Sequence, residues 1–182
     1  PGIATVPTIP DKKPAPVPDF DLTVQARGEV APGLDVRSFT GVPSWHLVML
    51  NRVLDYTGNS NILEVWPNLE LFAHGGMDFR PYEAQYRKMI PSDSMRYMET
   101  YNASEGFFAI AEEPGRSDML LMLDYGTYYE FLTIDQLGSP EKAVPIEGVR
   151  TGVNYAMIIT NCNGLWRYMI GDTVEFVSTD PY

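Results

Sequence analysis

From Arg96 to Val177 the chain carries no 3.6-residue apolar period and breaks instead into short runs rich in β-branched and aromatic residues, mostly closed by Gly, Pro, Asn or Asp. Such runs bury their apolar side chains on a pleated surface, so this half is predicted to form strands. The runs are Arg96–Tyr101, Phe107–Ala111, Met119–Asp124, Thr127–Leu132, Tyr155–Asn161, Trp166–Ile170 and Thr173–Val177. Asn163-Gly164 predicts a hairpin between the two runs that flank it. Gly171-Asp172 reads as a second hairpin corner. Met119–Leu123 is apolar without alternation, the pattern of a strand covered on both faces.

The half before Arg96 is different. Pro43 suits a first helical turn, Leu47, Leu50 and Leu54 with Val48 and Met49 form an apolar stripe, and Thr57-Gly58-Asn59 stops it. A Pro67-Asn68 turn leads into a short strand, Leu69–Ala73, ending on His74-Gly75-Gly76, and a second amphipathic helix is predicted from Pro81 to Met89. Helices and short strands followed by consecutive hairpins predict a mixed α/β fold whose antiparallel part is a sheet or a distorted barrel. Residues 1–33 hold seven prolines with no helical period and are expected to be an extended arm, leaving residues 34–182 as the folded body.

Charge narrows the partners. Thirteen Lys and Arg against 24 Asp and Glu give a net charge of −11, which repels polyanions and argues against nucleic acid or an acidic membrane surface. No apolar run approaches the ~18 residues needed to cross a bilayer. A single cysteine, Cys162, allows no internal disulfide, and with no signal-peptide pattern at the start a cytoplasmic setting is expected.

Two segments carry the chemistry. Tyr101-Asn102-Ala103-Ser104-Glu105-Gly106 and Trp166-Arg167-Tyr168-Met169-Ile170-Gly171-Asp172 each set one carboxylate beside a Gly and an aromatic. A carboxylate can hold Mg²⁺ or sugar hydroxyls, an aromatic face can stack on a base, and Gly lets backbone close on a phosphate. Together they suggest a nucleotide site. Singly, Glu105 is also compatible with a solvated surface turn and Asp172 with an ordinary corner. Gly75-Gly76 would let the backbone approach a flat base or an acyl group, or would simply turn. His74 reads as a general base or an interior hydrogen-bonding group, and His46 as a packing or surface residue. Two histidines and one cysteine give no zinc spacing. No P-loop, dinucleotide fingerprint or Gly-x-Ser-x-Gly elbow occurs.

From about Gly41 to Val177 the chain resembles the auxin-responsive acyl acid amido synthetases of plants and their bacterial relatives, within the adenylate-forming ligases. The resemblance rests on Gly41-Val42-Pro43-Ser44-Trp45, Val65-Trp66-Pro67-Asn68-Leu69-Glu70, His74-Gly75-Gly76, Tyr101–Glu105, Tyr128-Tyr129-Glu130-Phe131-Leu132, and Gly164–Tyr168 leading to Gly171-Asp172. It implies a partial large domain of an enzyme that uses ATP to adenylate a carboxylic acid and passes the acyl group to an amino acid amine. It further implies that Glu105 holds Mg²⁺ on the phosphates and that Tyr101, Ala103 and Ser104 line the ATP/AMP pocket. By the same resemblance Gly75 and Gly76 pass beside adenine or the acyl chain, Tyr129 and Phe131 form a wall, and Asp172 binds the ribose hydroxyls.

Three departures accompany the resemblance. Met169 stands where plant members usually have Arg, and both the Ser/Thr-Gly-rich phosphate loop and the small C-terminal domain are missing. The chain is therefore expected to be a central piece of a longer enzyme, not competent alone, with exposed apolar surface that drives self-association. The alternative reading, from another class, is a non-catalytic β-rich binding or interaction module in which the carboxylates only cap turns.

Overall fold

A computed structural model describes residues 33–182, so the Pro-rich arm expected over residues 1–33 lies outside the described residues except for its last glycine. The chain divides into two compact units, one ending at Tyr97 and one beginning at Met98.

The first unit contains β1 (Ser38–Gly41), α1 (Pro43–Thr57), β2 (Leu71–His74) and α2 (Arg80–Met89). β1 and β2 are parallel, Ser38 opposite Leu71 and Gly41 opposite His74, and α1 lies within the crossover that parallel strands require. Pro43 sits in the first turn of α1, where its missing N–H costs nothing. Gly58 ends the helix at φ 71°, returning its N–H to the Leu54 carbonyl at 2.8 Å. Pro43, Leu47, Leu50 and Val53 are buried, whereas Leu54, expected in the stripe, is only half-buried.

This face covers an aromatic core. Phe72 stacks on Phe39 at 4.5 Å and on Tyr86 at 4.9 Å between ring centres. The buried Tyr86 hydroxyl donates to the Pro43 carbonyl at 2.7 Å, tying α2 to the start of α1, and burial pushes its pKa up.

His74, the last residue of β2, is 3% exposed and stacks on Phe79 at 4.2 Å. Burial disfavours the imidazolium and pushes its pKa down from 6.5 to about 4. The unfolded chain therefore takes up this proton near pH 6.5, before the folded one does. The stability contribution is complete above pH 6.5 and is lost as pH falls toward 4. Between pH 7 and 4 the wild type should lose on the order of 3 kcal/mol more than His74→Gln in urea unfolding. Parallel pH profiles would contradict this.

In the second unit, β3 (Arg96–Ala103, entering from the first unit), β4 (Gly106–Ile110) and β5 (Leu120–Leu121) are antiparallel neighbours. A second sheet has the order β7-β6-β8-β9, from β6 (Thr127–Thr133), β7 (Val144–Pro145), β8 (Asn154–Asn161) and β9 (Tyr168–Glu175). With β7 and β9 as free-standing ends of that order, the antiparallel part is an open sheet rather than a barrel. Alternation along β6 and β8 sends Tyr129, Phe131, Tyr155, Met157 and Ile159 into one core with Phe108 and Phe176.

Two strands differ from expectation. Met119–Asp124 keeps only Leu120 and Leu121 as strand, half-buried, with Leu123 47% exposed, because residues 123–126 turn into β6. Trp166–Ile170 and Thr173–Val177 are not two strands around a corner but one, β9, interrupted at Gly171-Asp172 by a bulge. Among the described residues no helix is long and apolar enough to cross a membrane.

Candidate functional site

The two carboxylate segments meet within the second unit. Tyr101 on β3 donates its hydroxyl to Asp172 Oδ2 on β9 at 2.9 Å, across 71 residues of sequence. Tyr101 is half-buried, its ring 5.1 Å from that of Phe108. Burial first, then the hydrogen bond and charge of Asp172, then the charge of Glu105 push the phenol upward, so it stays a proton donor.

Backbone irregularities aim these side chains. Tyr101 lies opposite Ala109 and Asn102 opposite Phe107, which leaves Phe108 as an extra residue on β4. On β9, Met169 lies opposite Ile158 and Thr173 opposite Ala156, so Ile170, Gly171 and Asp172 all pass the single residue Met157. Gly171 makes this passage at φ 99°, where a side chain would be strained. Bulges re-aim side chains out of the regular alternation, and here one sits beside each partner of the Tyr101–Asp172 bond.

Glu105 lies with Ser104 in the two-residue turn closing β3 onto β4, where Ala103 faces Gly106. A Cβ on Gly106 would come within 3.0 Å of the Phe108 ring, so glycine keeps the turn close to the core. Glu105 is half-buried, Ser104 and Asp172 are exposed, and Ala103 packs against the core's edge. Tyr129 and Phe131 are 3% and 1% exposed on β6, inside that core, with the Tyr129 hydroxyl donating to the Met122 carbonyl at 3.1 Å. His74, Gly75 and Gly76 belong to the first unit. There Gly75 is buried, and Gly76 turns at φ 80°.

Mg²⁺ differs from zinc or calcium in what it asks of a protein. It is commonly held by one or two carboxylates, substrate phosphates and water rather than by an all-protein cage. Among the described residues no group of three or more His, Cys, Asp or Glu side chains could hold a metal, while Asp172 accepts from the Tyr101 hydroxyl and Glu105 closes the turn that follows Tyr101 on β3. That donor set fits a phosphate-bound Mg²⁺.

Two further residues, neither given a role of its own by the motifs, hold the surrounding turns. Arg167 adopts φ 47° and directs its guanidinium to Glu130 at 2.9 Å and to the Pro140 carbonyl at 2.8 Å. Asn161 ends β8 and bonds to both flanking turns, the Glu105 carbonyl among its partners at 3.2 Å. An Asn two residues before Asn163-Gly164 is the one sequence feature from which a side-chain-built turn could have been read.

Residues 120–181 match the GH3 family central domain. The 4-substituted benzoates-glutamate ligase GH3.12 of Arabidopsis thaliana is 29% identical over 120 residues, covering 62% of this chain and 20% of that protein. The indole-3-acetic acid-amido synthetase GH3.8 of Oryza sativa subsp. indica is 29% identical over 126 residues, covering 63% of this chain and 20% of that protein. The chain thus spans about a fifth of the length of the curated relatives it matches. Among solved structures, the acyl acid amido synthetase AtGH3.15 in complex with 2,4-DB superposes with a TM-score of 0.65 at 14% identity, covering 86% of this chain and 37% of that one. A 2-hydroxyisobutyryl-CoA ligase in complex with 2-HIB-AMP and CoA does so with a TM-score of 0.60 at 13% identity, covering 84% and 32%. The chain thus shares its fold with an acyl acid amido synthetase and a 2-hydroxyisobutyryl-CoA ligase of known structure, and its residues 120–181 match the GH3 family central domain.

Proposed function

We propose that the protein carrying this chain is an ATP-dependent ligase that adenylates a carboxylic acid, releasing pyrophosphate, and then joins the acyl group to an amino acid amine, releasing AMP. This chain supplies part of the nucleotide site and is not competent by itself. The observation that carries the reading is the 2.9 Å bond from Tyr101 to Asp172, because it brings the two carboxylate motifs into one place.

In this reading Asp172 accepts from the ribose hydroxyls, an arrangement a carboxylate at a fixed bulge suits. Tyr101 orients that carboxylate and, with Ala103 and Ser104, lines the nucleotide pocket. Glu105 would hold Mg²⁺, which when bound offsets the negative charge of the phosphates. Tyr129 and Phe131 support the pocket wall from the core. Burial leaves His74 a weak base, which disfavours it as a general base. Cytoplasmic location belongs to the same proposal. So does self-association of the isolated chain through exposed residues such as Trp166, 81% exposed.

Calorimetric titration of the full-length protein tests the assignment. Glu105→Ala should weaken Mg·ATP binding roughly tenfold while leaving Mg²⁺-free AMP binding within about twofold, because only the phosphate-bound ion depends on that carboxylate. Asp172→Ala should weaken both ligands. Wild-type titrations from both variants would remove the nucleotide role and favour a non-catalytic module.

A further inference from the structure

The turn that carries Glu105 is held from outside. Two-residue hairpin turns normally take the I′ or II′ forms, with positive φ at one or both central residues, because those forms match the twist of the strands. Among the described non-glycine residues Arg167 is the one with positive φ, so neither Ser104 nor Glu105 adopts the favoured geometry. A turn without them matches the twist of its strands less well.

Asn161 provides the missing constraint. Its Nδ2 donates to the Glu105 carbonyl at 3.2 Å, while its Oδ1 accepts from the N–H groups of Asn163 at 3.0 Å and Leu165 at 3.4 Å. The Asn161 backbone N–H in turn donates to the Leu165 carbonyl at 3.0 Å, and the Gly164 N–H donates to the Asn161 carbonyl at 3.3 Å. One carboxamide at the end of β8 therefore organises the β8–β9 loop and ties it to the β3–β4 turn. That loop leads into β9, the strand that presents Asp172.

We infer that Asn161 is a positioning residue for the Glu105 carboxylate, setting where the enzyme meets the Mg²⁺ of its nucleotide; the inference rests on the proposed nucleotide role of Glu105. Groups that orient a metal-binding carboxylate affect metal affinity by roughly ten- to a hundredfold when removed.

The test uses the full-length protein and Mn²⁺ as a paramagnetic probe, titrated in the presence of ATP and read by electron paramagnetic resonance, with AMP affinity measured in parallel without metal. Asn161→Asp keeps the oxygen that accepts from Asn163 and Leu165 but loses the donor to Glu105, so the loop should persist. Asn161→Ser removes the carboxamide without adding charge and serves if the first variant does not fold. Asn161→Asp should weaken Mn²⁺ binding roughly tenfold or more while AMP affinity and thermal midpoint stay near wild type, and Asn161→Ser, which also loosens the loop, should weaken Mn²⁺ binding at least as much. Glu105→Gln is the reference. If it weakens Mn²⁺ binding and neither Asn161 variant does, the positioning role is overturned and the nucleotide reading stands. If Glu105→Gln leaves Mn²⁺ binding unchanged, the nucleotide role of Glu105 fails, and the inference with it.

Discussion

Asp172→Ala in the full-length protein is expected to weaken ATP and AMP binding by roughly a hundredfold, since hydrogen bonds to an ionised group contribute about 1.5–3 kcal/mol. The same change removes the acceptor from the half-buried Tyr101 hydroxyl. Tyr101→Phe removes the donor instead and leaves Asp172 able to accept from a ligand, so its effect should be smaller, within about tenfold. A double-mutant cycle separates the two contributions. If Tyr101 acts by orienting Asp172, its substitution should matter little once Asp172 is gone, with a coupling of about 0.5–1.4 kcal/mol. Additive losses would mean that Tyr101 meets the nucleotide independently. Wild-type affinity in Asp172→Ala would end the ribose assignment.

Phe131→Ala should be the most damaging change for stability. The ring is 1% exposed and packs edge-on against Phe176 at 5.0 Å and Tyr155 at 6.0 Å. Truncating a buried Phe removes its transfer free energy and opens a cavity, a loss of about 3–5 kcal/mol, whereas Phe131→Leu should cost roughly a third of that. Urea unfolding measures both. A loss below about 1 kcal/mol for the Ala variant, with altered nucleotide affinity, would place the ring against ligand rather than core.

These cases mark what residue patterns conveyed. α1 was legible from both ends because Pro43 and Gly58 act locally, one by a fixed φ and the other by tolerating a left-handed cap. β1 was not, since four residues without clear alternation become a strand only by pairing with Leu71–His74, far along the chain. β7 is two residues ending in Pro145, a length no periodicity can reveal. Gly171-Asp172 has the composition of a corner, and only its pairing with β8 distinguishes a bulge from a turn. The carboxylate motifs were visible as chemistry, and the Tyr101–Asp172 bond then showed them adjacent. Asn161 stayed hidden because its role is a long-range contact to a backbone carbonyl, which leaves no mark at position 105.

The bulge in β9 also sets the phase of everything after it. The ladder with β8 resumes at Thr173 opposite Ala156, and from there Val174 packs against the core while Thr173 and Glu175 face water. Side chains alternate with a period of two, so losing one residue from 170–172 while the pairing downstream slid to compensate would turn Glu175 inward and Val174 outward. Substitution here adjusts one carboxylate, whereas a single-residue deletion that lets the register slide rewrites the parity of the strand's end, a cost that a change of sequence alone does not carry.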